Sequence, residues 1–217
     1  MLYTDLIAAA KQHFPNLQIK YKDESFFMKI LGKLLFFNQS FMNIYTTTIG
    51  STIYFPSKTF LQLQPVMMTI ILLHELIHIN DAQKLPKYVF EFLYLFPQII
   101  SLLLIPLLFV SWKLFLPLII LFALPLPAYF RMIYEKRAYL VSLYVANKLN
   151  QKYQLTNTLE ESKNFYLLQF KSGTYYFMWI FPSLDQKFND GLKKILNNER
   201  PFDDNVFDII DDLIEKV

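Results

Sequence analysis

Residues 65–84 read PVMMTIILLHELIHINDAQK, and the interpretation of the chain turns on this stretch. It is a long apolar run interrupted by His74, Glu75 and His78, which form an HExxH pattern. Ile70 to Leu73 and Leu76-Ile77 carry no charge, so the spacing and composition predict a buried helix from Pro65 to about Lys84.

On such a helix, residues i and i+4 lie one turn apart, so the imidazoles of His74 and His78 can point at one ion. Glu75 is rotated about a third of a turn from His74, which lets it reach the ion's open coordination position. There a carboxylate can take a proton from an activated water and pass it to a leaving amine. The expected cofactor is zinc, which lowers the pKa of bound water and polarises a scissile carbonyl. The expected function is a zinc-dependent endopeptidase acting on protein or peptide substrates at a membrane, with Glu75 as general base.

A third protein ligand is needed. The continuation His78-Ile79-Asn80-Asp81 has neither the glycine nor the third histidine of an HExxHxxGxxH site, so the ligand must be a carboxylate. Glu135 is the first choice, on a helix with Ala138 one turn further on. Glu91 is the runner-up. Asp81 faces the same side of the motif helix but lies far along it, which suits a partner for one of the histidines better than a ligand.

Composition removes other chemistries. The chain of 217 residues has no cysteine, so disulfides, thiol nucleophiles, iron–sulfur clusters and thiolate zinc sites are excluded. With four glycines and neither GxGxxG nor GxxxxGK[ST], it has no phosphate-cradling loop. The net charge of +3 is spread out, with no basic patch interleaved with aromatics, so no nucleic-acid partner is expected.

Along the chain, Met1 to Phe14 predicts an amphipathic helix, Leu17 to Tyr21 a strand, and Ser25 to Phe37 a helix with Lys29 and Lys33 on one solvated edge. Met42 to Phe55 predicts two short strands joined near Gly50. Phe92 to Val110 has 19 residues without a charge and Leu114 to Phe130 has 17, separated by Ser111, Trp112 and Lys113. A span needs about 18 to 20 apolar residues, so a two-helix membrane hairpin is expected, with prolines that lipid-embedded helices tolerate. Lys84, Lys87, Arg131, Lys136 and Arg137 flank it, so both termini and the site are expected on the cytoplasmic side of an integral membrane protein. Met132 to Leu149 predicts a helix, as does the aromatic stretch Phe165 to Phe181. Ser183 to Val217 predicts two short helices broken near Pro201, with the Asp203–Asp212 acids as a solvated face.

The order of His74-Glu75-Leu76-Ile77-His78, two membrane-like segments, then Glu135-Lys136-Arg137-Ala138 resembles the integral-membrane gluzincins typified by the HtpX heat-shock protease and the CAAX prenyl protease. The resemblance covers roughly Thr48 to Val145. It implies zinc held by His74, His78 and Glu135, with Glu75 as general base. Two features depart from that family: its aspartate is replaced by Tyr139, and no spans precede the motif helix. Tyr139 is accordingly a candidate catalytic residue that could hydrogen-bond near the site or stabilise an oxyanion.

The expected fold is mainly α with a small β-hairpin or sheet, an α+β zincin-like core. Residues 1–87 and 131–217 would form the metallopeptidase domain, and 88–130 the inserted membrane hairpin. In gluzincins an extended substrate pairs with an edge strand preceding the active-site helix, which points to Ser51–Phe55. Two other readings stand beside the first. One is a non-catalytic membrane protein, a pore-former or assembly factor, with an accidental or relic HExxH. The other is a soluble zinc peptidase whose hairpin packs on a partner protein.

Overall fold

The computed structural model describes residues 3–35, 38, 40–62, 65–123, 127–155, 158–172 and 181–216. Among the described residues the chain is mainly helical with one small three-stranded sheet, as its periodicities predict. Its elements are α1 (Tyr3–His13), β1 (Gln18–Tyr21), α2 (Phe26–Leu34), α3 (Ser40–Asn43), β2 (Thr47–Ile49), β3 (Thr52–Phe55) and α4 (Pro65–Gln83). Then come α5 (Val89–Leu95), α6 (Ile99–Leu103), α7 (Trp112–Ala123), α8 (Tyr129–Tyr153), α9 (Leu159–Lys171), α10 (Leu184–Leu196) and α11 (Val206–Glu215).

Two helices form the centre. On α4, eleven residues are buried, from Met68 to Asp81, and α8 is buried without a break from Ala138 to Asn147. Both lack a continuous polar stripe because neighbours cover them on several sides; α8 also packs against α5, α9, α10 and α11. α8 is longer than its apolar pattern predicts and starts directly after Pro127-Ala128. It stops where Gln154 enters the left-handed region and donates its amide N–H to the Asn150 carbonyl.

The predicted strand pair is present. β2 and β3 run antiparallel with Ile49 opposite Thr52, so Gly50-Ser51 is a two-residue turn. Gly50 has φ +56°, a conformation that a residue without Cβ adopts without strain. β1 joins the other side of β3 in parallel, giving the order β1-β3-β2. β3 is therefore the central strand, and its backbone is occupied on both sides. The expected docking of a peptide on Ser51–Phe55 is thereby excluded; the edges are β1 and β2.

The two-span reading is overturned. No helix among the described residues is long and apolar enough to cross a membrane. The run Phe92–Val110 is divided among α5, which ends at Leu95, the five-residue α6, and a 3-10 turn at Ile105–Phe109. Pro97 and Pro106 stand at the breaks, where each lacks an amide donor and its ring crowds the preceding turn. α7 has 12 residues with Pro117 inside, about 18 Å of helix against a hydrocarbon core of about 30 Å. Residues 124–126 of the second run lie outside those described. The assignment of both termini and the site to one side of a bilayer falls with the spans.

Toward the C-terminus, α9 covers the first part of the aromatic stretch, while residues 173–180 lie outside those described. α10 and α11 flank the predicted break at Pro201. The acids of α11 are less idle than a solvated face suggests. Asp208 and Asp211 both take Arg200, and Asp212 takes His13 and Lys216.

Candidate metal centre

The packing of α4 on α8 builds the site. His74 and His78 lie one turn apart on α4, with their ring centroids 5.1 Å from each other. Glu135, Tyr139 and Ser142 follow an i, i+4, i+7 pattern and so share one face of α8. Glu135 is 1% exposed, and both histidines are also buried. His74 Nε2 lies 3.5 Å from Glu135 Oε2, and His78 Nε2 lies 3.4 Å from Glu135 Oε1.

These separations are informative. They exceed the usual 2.7–3.2 Å of an N–H···O bond. They match the spacing of about 3.4 Å between neighbouring ligand atoms around a tetrahedral ion with bonds of about 2.0–2.2 Å. Among the described residues, Glu135 Oε2 is moreover buried without a hydrogen-bond partner. His74, His78 and Glu135 together could hold a metal ion, since one ligand atom from each lies within 4.8 Å of the others.

Electrostatics agree with the geometry. Burial alone would raise the Glu135 carboxyl, but the two imidazoles outweigh it and hold it below the ordinary carboxylate range. Burial alone would lower His78, but the Glu135 carboxylate dominates and carries its imidazole above the ordinary histidine range.

No family model, curated protein or solved structure matches the chain. What the site can do is therefore set by its own residues.

Three of these hold the candidate ligands and the adjacent carboxylate in place. Ser142 Oγ donates to the Ala138 carbonyl at 3.1 Å, so its lone pairs face the Nδ1–H of His74, also at 3.1 Å. In an ion-binding form that contact would hold the His74 proton on Nδ1 and free Nε2 to bind the ion. Tyr94 on α5 donates its hydroxyl to Glu135 Oε1 at 2.5 Å, and its ring meets His78 edge-on with centroids 5.9 Å apart. Burial, then the Glu135 charge, push the Tyr94 phenol well above its ordinary range, so it stays a donor. Thr48 on β2 donates its hydroxyl to Glu75 Oε2 at 2.6 Å.

The other candidate residues are placed as follows. The ring of Tyr139 packs against His74 with centroids 4.8 Å apart, and Tyr166 stacks on it at 4.5 Å. Glu91 does not join the ligand group; its Oε1 accepts the Gly50 amide at 3.1 Å and ties α5 to the β2–β3 turn. Asp81 serves neither as ligand nor as a histidine partner. It receives Arg137 Nε and Nη2 at 3.0 Å each, and Arg137 also donates to Asp204 at 2.8 Å.

Four residues escaped the sequence reading. Ser142, seven residues after Glu135, was open to the same helical spacing that singled out the ligands. Tyr94 is hidden in an apolar run, and Thr48 in a Thr-rich strand, with no local pattern to distinguish them. Lys22, directly after β1, is fully buried with its Nζ donating to the Phe41 carbonyl at 2.6 Å. Burial lowers its pKa to about 7, with the Glu75 charge acting in the opposite direction.

Proposed function

We propose that the chain is a zinc-dependent peptidase in which His74, His78 and Glu135 hold the ion and Glu75 is the general base. The observation that carries this reading is the convergence of two Nε2 atoms on one buried carboxylate at tetrahedral ligand spacing, next to a second carboxylate. Two imidazoles and a carboxylate, with a fourth position open, is a donor set that zinc takes in hydrolases. Bound there, zinc supplies an acidified water and a polarised carbonyl.

The chain's own residues do the rest. Thr48 holds Glu75 by Oε2, and the Glu75 carboxylate would take the proton from the attacking water and pass it to the departing amine nitrogen. Ser142 and Tyr94 orient His74 and Glu135. The edge strand β2 packs on α4 and carries Thr48, which makes Thr47–Ile49 the strand for an extended substrate to pair with.

Metal content by mass spectrometry tests the proposal, with wild type beside His74→Ala, Glu135→Gln and Glu75→Gln. Near-stoichiometric zinc is expected in wild type and in Glu75→Gln, and depletion in the other two. Hydrolysis of a denatured protein substrate should fall by about two to four orders of magnitude in Glu75→Gln. Wild type that takes up no zinc when zinc is supplied would sink the proposal.

A further inference from the structure

The segment from α6 to α7 leaves many of its described apolar side chains exposed. α6, the 3-10 turn and α7 pack chiefly on one another. Leu103, Phe109, Val110, Trp112, Leu114 and Leu116 are all more than half exposed, and Phe109 and Val110 at the tip reach 85% and 82%. From Phe92 to Phe130 there is no acid and one base, Lys113. An exposed apolar patch of this kind marks an interaction surface.

From these observations we propose that this hairpin seats the protein on the surface of an anionic lipid bilayer, entering one leaflet without crossing it. Charge selects the occupant. Lys113 is exposed at the tip, and Lys87 is exposed at the root, where its ammonium lies over the exposed Tyr88 ring at 4.7 Å. Glu91, the acid nearest the run, is turned onto the Gly50 amide. A second copy meeting this face would bring no acid from its own hairpin to either Lys113. Lipid phosphates supply the missing anions.

Depth follows from length and from the tip. α7 is too short to cross, and a steep plunge would carry the Lys113 ammonium into hydrocarbon, where a charge is costly. A shallow seat keeps its stem among acyl chains and its head among phosphates. Tyr88 and Tyr129, both more than half exposed at the two roots of the segment, are suited to the headgroup level.

The test is flotation of the full chain with vesicles of phosphatidylcholine containing a quarter of phosphatidylglycerol. Wild type should float with them, and less so at high salt or with phosphatidylcholine alone. Phe109→Asp with Val110→Asp should lower partitioning by about a hundredfold or more, because each apolar side chain returned to water gives up about a factor of ten. Unchanged circular dichroism would show that the variant is folded. With Trp179→Phe, Trp112 fluorescence should be quenched by lipids brominated near the headgroup more than by those brominated near the chain ends. The proposal fails if wild type stays in the aqueous fraction with every vesicle, whether as a monomer or as a dimer joined through this face. It also fails if Val110→Cys is labelled by an impermeant maleimide only from the vesicle lumen, since the hairpin would then span.

Discussion

The Tyr94 hydroxyl donates to Glu135 Oε1 at 2.5 Å and so joins α5 to the carboxylate that completes the histidine pair. An uncharged run read as membrane-spanning thus delivers a polar group to the centre of the site. Replacing Tyr94 with Phe removes the donor and keeps the ring against His78. Partners that orient a metal-binding carboxylate are worth about tenfold to a hundredfold in metal affinity, so Tyr94→Phe should weaken zinc binding by that factor. Titration against a chromogenic chelator measures it; unchanged affinity would reduce Tyr94 to packing.

Ser142→Ala removes the acceptor for His74 Nδ1–H, leaving the imidazole free to change tautomer. Zinc affinity should fall about tenfold, and stability by about 1 to 3 kcal/mol, because a buried His74 N–H is left without its acceptor and the bond to the Ala138 carbonyl is also lost. Nitrogen chemical shifts of His74 would report the tautomer directly.

Zinc binding should be coupled to pH in a definite direction. The metal-free pair holds a proton on His78 above the ordinary histidine range because of Glu135, so at neutral pH the ion must displace it. Affinity should rise with pH across neutrality, and calorimetry in buffers of different ionisation enthalpy should show proton release on binding. Binding that is independent of pH in this window would contradict the pairing.

Arg137 links Asp81 on α4 to Asp204 before α11, and Lys84 reaches the same Asp204 oxygen at 2.7 Å. Asp81 is buried, so Arg137→Met strands its carboxylate and should destabilise the fold by about 3 to 5 kcal/mol in chemical denaturation. Burial raises Asp204, but Lys84, the Val206 amide and Arg137 together bring it down to about 2. Its stabilising contribution is present above its ordinary pKa of 3.8 and is lost as pH falls toward about 2. Asp204→Asn should flatten the acid limb of the stability profile in that window.

Lys22 titrates with the opposite consequence. Its folded pKa of about 7 lies below the ordinary 10.5, so between these values the unfolded chain holds the proton that the folded chain has released. Stability attributable to Lys22 therefore rises with pH across this window, and the penalty for a buried ammonium is complete below it. Lys22→Met should abolish the slope and gain stability in mild acid, offset by about 1 kcal/mol for the lost bond to the Phe41 carbonyl. Urea unfolding of both proteins at several pH values would decide.

Local rules account for what the amino-acid order settles unaided. The four-residue spacing of His74 and His78 places them on one face wherever a helix forms, and the Thr- and Ile-rich segments around Gly50 pair because the turn joining them has two residues. Glu135 was also legible, through the chemistry of the motif and the order of the segments around it. Tertiary packing decided the remainder. It brought Glu135 and Ser142 to α4, turned Glu91 to Gly50 and Asp81 to Arg137, and placed β3 between two partners by a parallel pairing with distant β1. It also broke the long uncharged runs into short pieces, which hydropathy cannot foresee because it scores side chains and is blind to where backbone hydrogen bonding stops. Contacts between residues close in sequence follow from backbone periodicity, whereas those closed by long loops depend on how whole helices pack.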